Sequence, residues 1–285
     1  MTRIKIILTL LLCSVVSIGF AEGLDDFDNI NKNYKYIKKR VIDASFNASS
    51  DYTLGLYGKF SDYEISTWNE SYIGFHVEIV TKSNKEERAE ELLHQIDIDF
   101  KDYKANKKIV AKTVLPNKTN NVEFQIDYYI MIPENIFLVM DNSYGNINID
   151  KLNRYFDLNL DYGNFSIDSL FADNKIDVSY GNAKIKYADK ADCKVSYGNI
   201  RINTGNEVNV NLKYGNGRFG EIESLKASCS FSDVEINNVL KEINLTSAYG
   251  DVEIENVDKD FELINLVVKY ADVDIALDES HSFSY

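Results

Sequence analysis

Six carboxylates are the residues of this 285-residue chain whose spacing is best suited to chemistry. Asp233, Glu235, Asp251, Glu253, Asp272 and Asp274 form three pairs of like spacing, one in each of three successive repeats. Alternate residues on a strand share a face, so stacked pairs would gather six acidic groups on one patch. Hard oxygen donors of this kind suit calcium. The same residues equally make a solvated acidic face, the ordinary role of a charge run. The glycine-rich nonapeptide of calcium-binding repeats is absent. No resident metal and no cofactor are expected.

Other chemistry is thinly represented. His76, His94 and His281 lack metal-ligand spacing. His76 sits between Phe75 and Val77 as a surface strand residue. No Gly-x-Ser-x-Gly elbow, phosphate loop or His-Glu-x-x-His helix occurs. Asp97 and Asp99 are explained as outward strand positions. With −14 formal charge and no basic patch, nucleic-acid binding is disfavoured.

The acidic pairs belong to a repeat that must position them. Its anchors are Tyr144, Tyr162, Tyr180, Tyr197, Tyr214, Phe231, Tyr249 and Tyr270. They return at a nearly constant interval, with a somewhat longer last step, as in an array of stacked repeats. Four residues before each anchor stand Met140, Leu158, Ile176, Cys193, Val210, Ala227, Leu245 and Leu266. Two before it, most residues are again apolar. Three after it the column runs from Ile147 and Phe165 to Val252 and Val273. Five after it stand Ile149, Ile167, Ile185, Ile202, Phe219, Ile236, Ile254 and Ile275. Alternation of period two means strands with one buried face.

The two apolar sets differ in parity, so the chain must bend between them. The bend falls at Gly145-Asn146, Gly163-Asn164, Gly181-Asn182, Gly198-Asn199, Gly215-Asn216 and Gly250-Asp251. These pairs read as structural corners, with glycine supplying positive φ. Ser232 and Ala271 replace it in two repeats. The anchors share parity with the inward −4 and −2 positions, which places their rings mainly inside. An outward ridge of tyrosines would instead offer a surface to sugars or protein. Tyr57, Tyr63 and Tyr72 are further exposed-aromatic candidates.

Stacked strands lie roughly 4.8 Å apart. This pattern predicts an all-β fold, a single-stranded right-handed parallel β-helix, or solenoid, with one short helix inserted in its first half. A β-sandwich or β-roll shares the same strand signals. The outward column four after the anchor runs Asn148, Ser166, Lys184, Arg201, Arg218, Glu235, Glu253 and Asp274, so a basic ladder meets an acidic one at Arg218 and Glu235. The Asn row invites amide bonding between repeats.

The chain start reads as an export signal over 1–21. Arg3 and Lys5 precede an apolar run that ends in Gly19-Phe20-Ala21. That run is shorter than a membrane span needs, so no span is expected in the mature chain. Losing Arg3 and Lys5 takes the charge from −14 to −16. Cys193 and Cys229 stand two repeats apart, too far for a disulfide, and read as small buried hydrophobes. Residues 22–53 form a lead-in arm. Residues 54–140 form irregular strands with a helix over 84–95, opened by a Ser83-Asn84-Lys85-Glu86 capping box. Residues 141–285 hold the regular repeats. Phe60-Ser61-Asp62-Tyr63-Glu64-Ile65 parallels Phe231-Ser232-Asp233-Val234-Glu235-Ile236, which suggests an earlier start of the pattern.

The signal, the early strands, the helix ending in Glu91-Leu92-Leu93 and the Tyr-Gly-Asn repeats together resemble the putative adhesin family of exported bacterial β-strand repeat proteins. The resemblance implies a β-helix and supplies no catalytic residues. The expected function is a non-enzymatic, adhesin-like or structural module of the cell envelope that binds a glycan or protein. It would be exported to the periplasm, the outer surface or the medium. The alternative is a β-helix polysaccharide hydrolase or lyase.

Overall fold

The structure is a computed structural model that describes residues 34–119 and 122–277. The signal, the start of the lead-in arm, His281 and the final residues lie outside them. Among the described residues, no helix is long and apolar enough to cross a membrane.

The alternating sequence becomes strands throughout. The first half holds β1 (Tyr36–Asn47), β2 (Thr53–Lys59), β3 (Ser61–Trp68), β4 (Tyr72–Ser83), β5 (Asp97–Tyr103), β6 (Lys108–Val114) and β7 (Glu123–Pro133). There follow β8 (Phe137–Ser143), β9 (Ile147–Leu152), β10 (Phe156–Asp161), β11 (Phe165–Leu170), β12 (Asn174–Ser179) and β13 (Ala183–Ser196). The long run β14 (Ile200–Ala248) leads to β15 (Val252–Ile254), β16 (Leu263–Lys269) and β17 (Val273–Ile275).

The expectation of a right-handed parallel β-helix solenoid is overturned. Among the described residues, all 17 strands join one sheet of mixed order, which wraps round as a nearly closed barrel. β1 pairs antiparallel with β4, β4 with β7, and β5 with β6. A stack of parallel windings has no place for these three pairings. Residues 36–47 of the lead-in arm are thus β1, an integral strand. Alternation of period two is identical for parallel and antiparallel pairing, which is why the sequence pattern missed them.

From β8 onward the pairings are parallel. Met140 faces Leu158, Leu158 faces Ile176, Ile176 faces Cys193 and Cys193 faces Val210. Like positions of successive repeats are therefore neighbours, and the apolar columns form one continuous core. Gly217 occupies an inward column because a methyl group there would meet the ring of Phe219, the bulky member of the next inward column. Cys193 and Cys229 are free and buried, and burial pushes both thiols up to about 12.

The helix-favouring run forms α1 (Glu86–Gln95). It buries Ala89, Leu92 and Leu93 and packs against β4 and β1. The reciprocal capping box does not form. Lys85 is the N-cap, and its backbone N–H donates to the Ser83 hydroxyl at 3.2 Å.

Candidate binding ridge

The parity conflict is resolved at the aromatic residue. Tyr144, Tyr162, Tyr180, Tyr197, Tyr214, Phe231, Tyr249 and Tyr270 all have left-handed backbones, with φ between 53° and 61°. Phe60 does the same at 56°. The left-handed twist turns each ring out of the core. The rings are 42–51% exposed, and Tyr270 is 78% exposed. The inward placement expected from parity is therefore corrected, and so is the assignment of positive φ to glycine.

Glycine is required for a different reason. A methyl group on Gly181 would lie 1.7 Å from the carbonyl oxygen of Gly163, and one on Gly198 would lie 1.8 Å from that of Gly181. At these two positions the chain passes itself too closely for a side chain, whereas Ser232 and Ala271 fill the same column in two later repeats. The strained conformation then falls on the aromatic residue, at about 1–2 kcal/mol for a non-glycine residue.

Ring stacking offsets that cost. Phe60 stacks on Tyr144, and the series continues without a break to Tyr270. Centroids are 4.7–5.1 Å apart, and from Tyr144 onward the planes agree within 9°. Each aromatic pair contributes about 0.5–1.5 kcal/mol beyond its buried area. Phe124 closes the Phe60 end edge-on at 5.8 Å. The result is a straight ridge roughly 38 Å long at the interstrand spacing. Inner rings have both faces covered by neighbours. What they present outward is ring edges and a row of hydroxyls.

Beside the ridge runs the Asn row. The side-chain oxygen of Asn146 accepts from the backbone N–H of Asn164 at 3.0 Å and from its amide at 3.2 Å. Asn164 to Asn182 and Asn182 to Asn199 repeat both bonds. Asn216 donates its backbone N–H to Asn199 at 2.8 Å. Asp62 starts the row by accepting from the Asn146 N–H at 2.6 Å. In the last repeats a carboxylate replaces the amide. Asp251 and Asp272 still donate their N–H to the preceding Asp at 3.0 and 2.9 Å, but a carboxylate has no second donor.

The sequence-predicted acidic patch lines a shallow groove beside this row. Asp233, Glu235, Asp251, Glu253, Asp272 and Asp274 face it together with Asn216 and Arg218. Arg218 pairs with Glu235 at 3.0 Å, the junction of the basic and acidic columns. Among the described residues, no group of three or more His, Cys, Asp or Glu converges as a metal site.

Two further sites differ from their sequence reading or add to it. Tyr63 is buried, 1% exposed, and stacks on Tyr128 at 4.6 Å. Burial pushes both phenols above their ordinary range. Tyr128 bonds Thr113 at 2.7 Å, while the Tyr63 hydroxyl and Asn142 Oδ1 have no partner. Both unpaired atoms lie where a Cβ on Gly58 would stand, so a larger residue there would collide with them. His76 lies on the surface, 2.7 Å from Asp43 and 3.3 Å from Glu78. Burial lowers its pKa, but the hydrogen bonds to those carboxylates outweigh burial and the net shift is upward.

No protein-family model and no curated protein matches this chain. Solved structures do resemble it. One described as a putative adhesin from Parabacteroides distasonis aligns at a TM-score of 0.52 and 11% identity, over 83% of this chain and 97% of its own. A putative adhesin from Parabacteroides merdae aligns at 0.49 and 12%, over 82% and 96%. A structure described as a putative lipid binding protein, from P. distasonis, aligns at 0.47 and 10%, over 83% and 97%. With so few identical residues, the first of these is a likeness of fold.

Proposed function

We propose that this chain is an exported, non-enzymatic, adhesin-like module of the cell envelope. A surface glycan or protein would lie along the tyrosine ridge. The observation that carries the reading is the unbroken outward ring stack, which leaves a continuous row of half-exposed aromatic side chains on one surface. The adhesin description of the fold neighbour from P. distasonis fits the reading.

The proposed mode of binding follows from the ring spacing. With ring faces covered, sugars cannot stack on the inner tyrosines as they do on isolated aromatic rings. The hydroxyls of Tyr144, Tyr162, Tyr180, Tyr197 and Tyr214 instead form an evenly spaced row of donors and acceptors. An extended partner would make many shallow contacts, with affinity built from repetition rather than from one pocket.

The test is a glycan array and an envelope-protein binding screen with purified protein, run beside polysaccharide depolymerisation assays. The expected result is binding that weakens stepwise as Tyr162, Tyr180 and Tyr197 are changed to Phe, with no turnover. Turnover that disappears on neutralising outward carboxylates, with folding intact, would replace the binding reading with the enzymatic one.

A further inference from the structure

The last layer of the sheet departs from every layer beneath it. β16 pairs with β14 along one edge, Leu245 facing Leu266 and Thr246 facing Val267. Among the described residues β14 is the one strand that pairs with it. Its inward residues Ile264, Leu266 and Val268 are only half-buried, whereas Ile243 and Leu245 beneath them are fully buried. Two of its four outward residues have also become apolar, Leu263 and Val267, beside Asn265 and Lys269. The position three before the anchor is polar in all earlier repeats, as Asp141, Asn159, Asp177, Lys194, Asn211, Ser228 and Thr246, and is Val267 here. Leu263 likewise stands where Lys190, Glu207 and Glu242 stood. Leu263 and Val267 are 44% and 46% exposed. Half-buried apolar side chains along the inner face of an unpaired edge favour pairing with another strand.

We propose that β16 pairs antiparallel with β16 of a second copy of this chain, about a two-fold axis at Leu266. The inward residues Ile264, Leu266 and Val268 are self-complementary in that register. Ile264 falls opposite the second copy's Val268, and Leu266 opposite the second copy's Leu266. The register preserves parity, so all three inward side chains extend both cores. On the outer face Leu263 meets the second copy's Lys269, and Asn265 meets the second copy's Val267. A two-fold pairing also closes on itself, so it yields a dimer and leaves no further open edge at this strand.

Sedimentation velocity of the purified chain over a concentration series tests the pairing. The wild type should show a reversible monomer–dimer equilibrium. Leu263→Lys sets like charges against the second copy's Lys269 twice and should weaken dimerisation roughly tenfold. Leu263→Glu sets opposite charges there and should leave it unchanged or tighter. Both charges occur in this column in folded layers below, and a cooperative unfolding transition in each variant would confirm that it folds, with Leu263→Glu slightly less stable beside Glu242 of its own chain. A wild type that stays monomeric overturns the proposal. So does equal weakening by both variants, which would mean unregistered apolar contact. A monomer that dimerises only after removal of residues 278–285 would show that the chain's own segment covers the edge, and would overturn the pairing as a property of the full chain.

Discussion

Two tyrosine stacks in this molecule have nearly the same spacing and opposite surroundings. Tyr63 and Tyr128 stack at 4.6 Å inside the mixed first half, both 1% exposed. Tyr180 and Tyr197 stack at 4.8 Å on the outside of the parallel half, each about half exposed. The buried pair sits between β3 and β7, where parallel neighbours place Tyr63 directly beside Tyr128. There the backbone is ordinary, and the cost is an unpaired hydroxyl. In the outer stack the hydroxyls reach water, and the cost is a left-handed backbone at every ring. Stacking geometry follows from parallel register alone. The rings face out where the anchor backbone is left-handed and in where it is ordinary.

The largest expected effect tests that close passage. Gly181→Ala places a methyl group 1.7 Å from a backbone oxygen and should destabilise the protein by about 3 kcal/mol or more in denaturant unfolding. Gly55→Ala, in the mixed half, meets movable side chains, the Tyr57 ring at 3.0 Å and Lys108 at 3.5 Å, and should cost less than about 1 kcal/mol. Similar losses at both sites would break the comparison.

The next effect separates ring stacking from backbone strain. Tyr197→Ala loses contacts with Tyr180 and Tyr214 and should cost about 1–3 kcal/mol. Tyr197→Gly loses the same contacts but relieves the left-handed backbone, and should be more stable than the alanine variant by about 1 kcal/mol. At most helix and strand positions the order is the reverse, so the sign alone is informative.

A smaller effect compares the amide and carboxylate parts of the row. Asp251→Asn removes repulsion from Asp233 and Asp272 and restores an amide donor. It should stabilise by about 0.5–1 kcal/mol at low salt and less at high salt. Asn182→Asp should do the opposite. The smallest effect is at His76 in the first half. Its folded pKa is raised above 6.5, so its contribution is fully present below pH 6.5 and is lost as pH rises through the folded value. Stability measured from pH 5 to 8 should fall more for wild type than for His76→Gln, and only slightly, because the site is exposed.

Much of the parallel half can be read from the sequence. The inward columns are those that alternation marks, and Phe60-Ser61-Asp62 does carry an earlier anchor, since Phe60 joins the ring stack. The bend was legible, but its mechanism was not. Glycine's freedom at positive φ pointed to Gly181, whereas its actual constraint is a clash with Gly163 of the preceding repeat. That clash exists only once the layers are stacked. The outward ridge was lost with it, because parity counts steps and cannot register a reversal at the anchor itself. The mixed sheet order of the first half was equally hidden. His76, Val77 and Glu78 alternate as any strand would, and nothing local says that their partners on β1 and β7 run the other way.

The account depends above all on which tyrosines face water. Brief nitration of the native protein, mapped by mass spectrometry, tests this residue by residue. Tyr144, Tyr162, Tyr180, Tyr197, Tyr214, Tyr249 and Tyr270 should be modified, Tyr270 fastest, while Tyr63 and Tyr128 stay protected until unfolding. Protection of the repeat tyrosines in the native state, or uniform modification of all nine, would contradict the outward ridge.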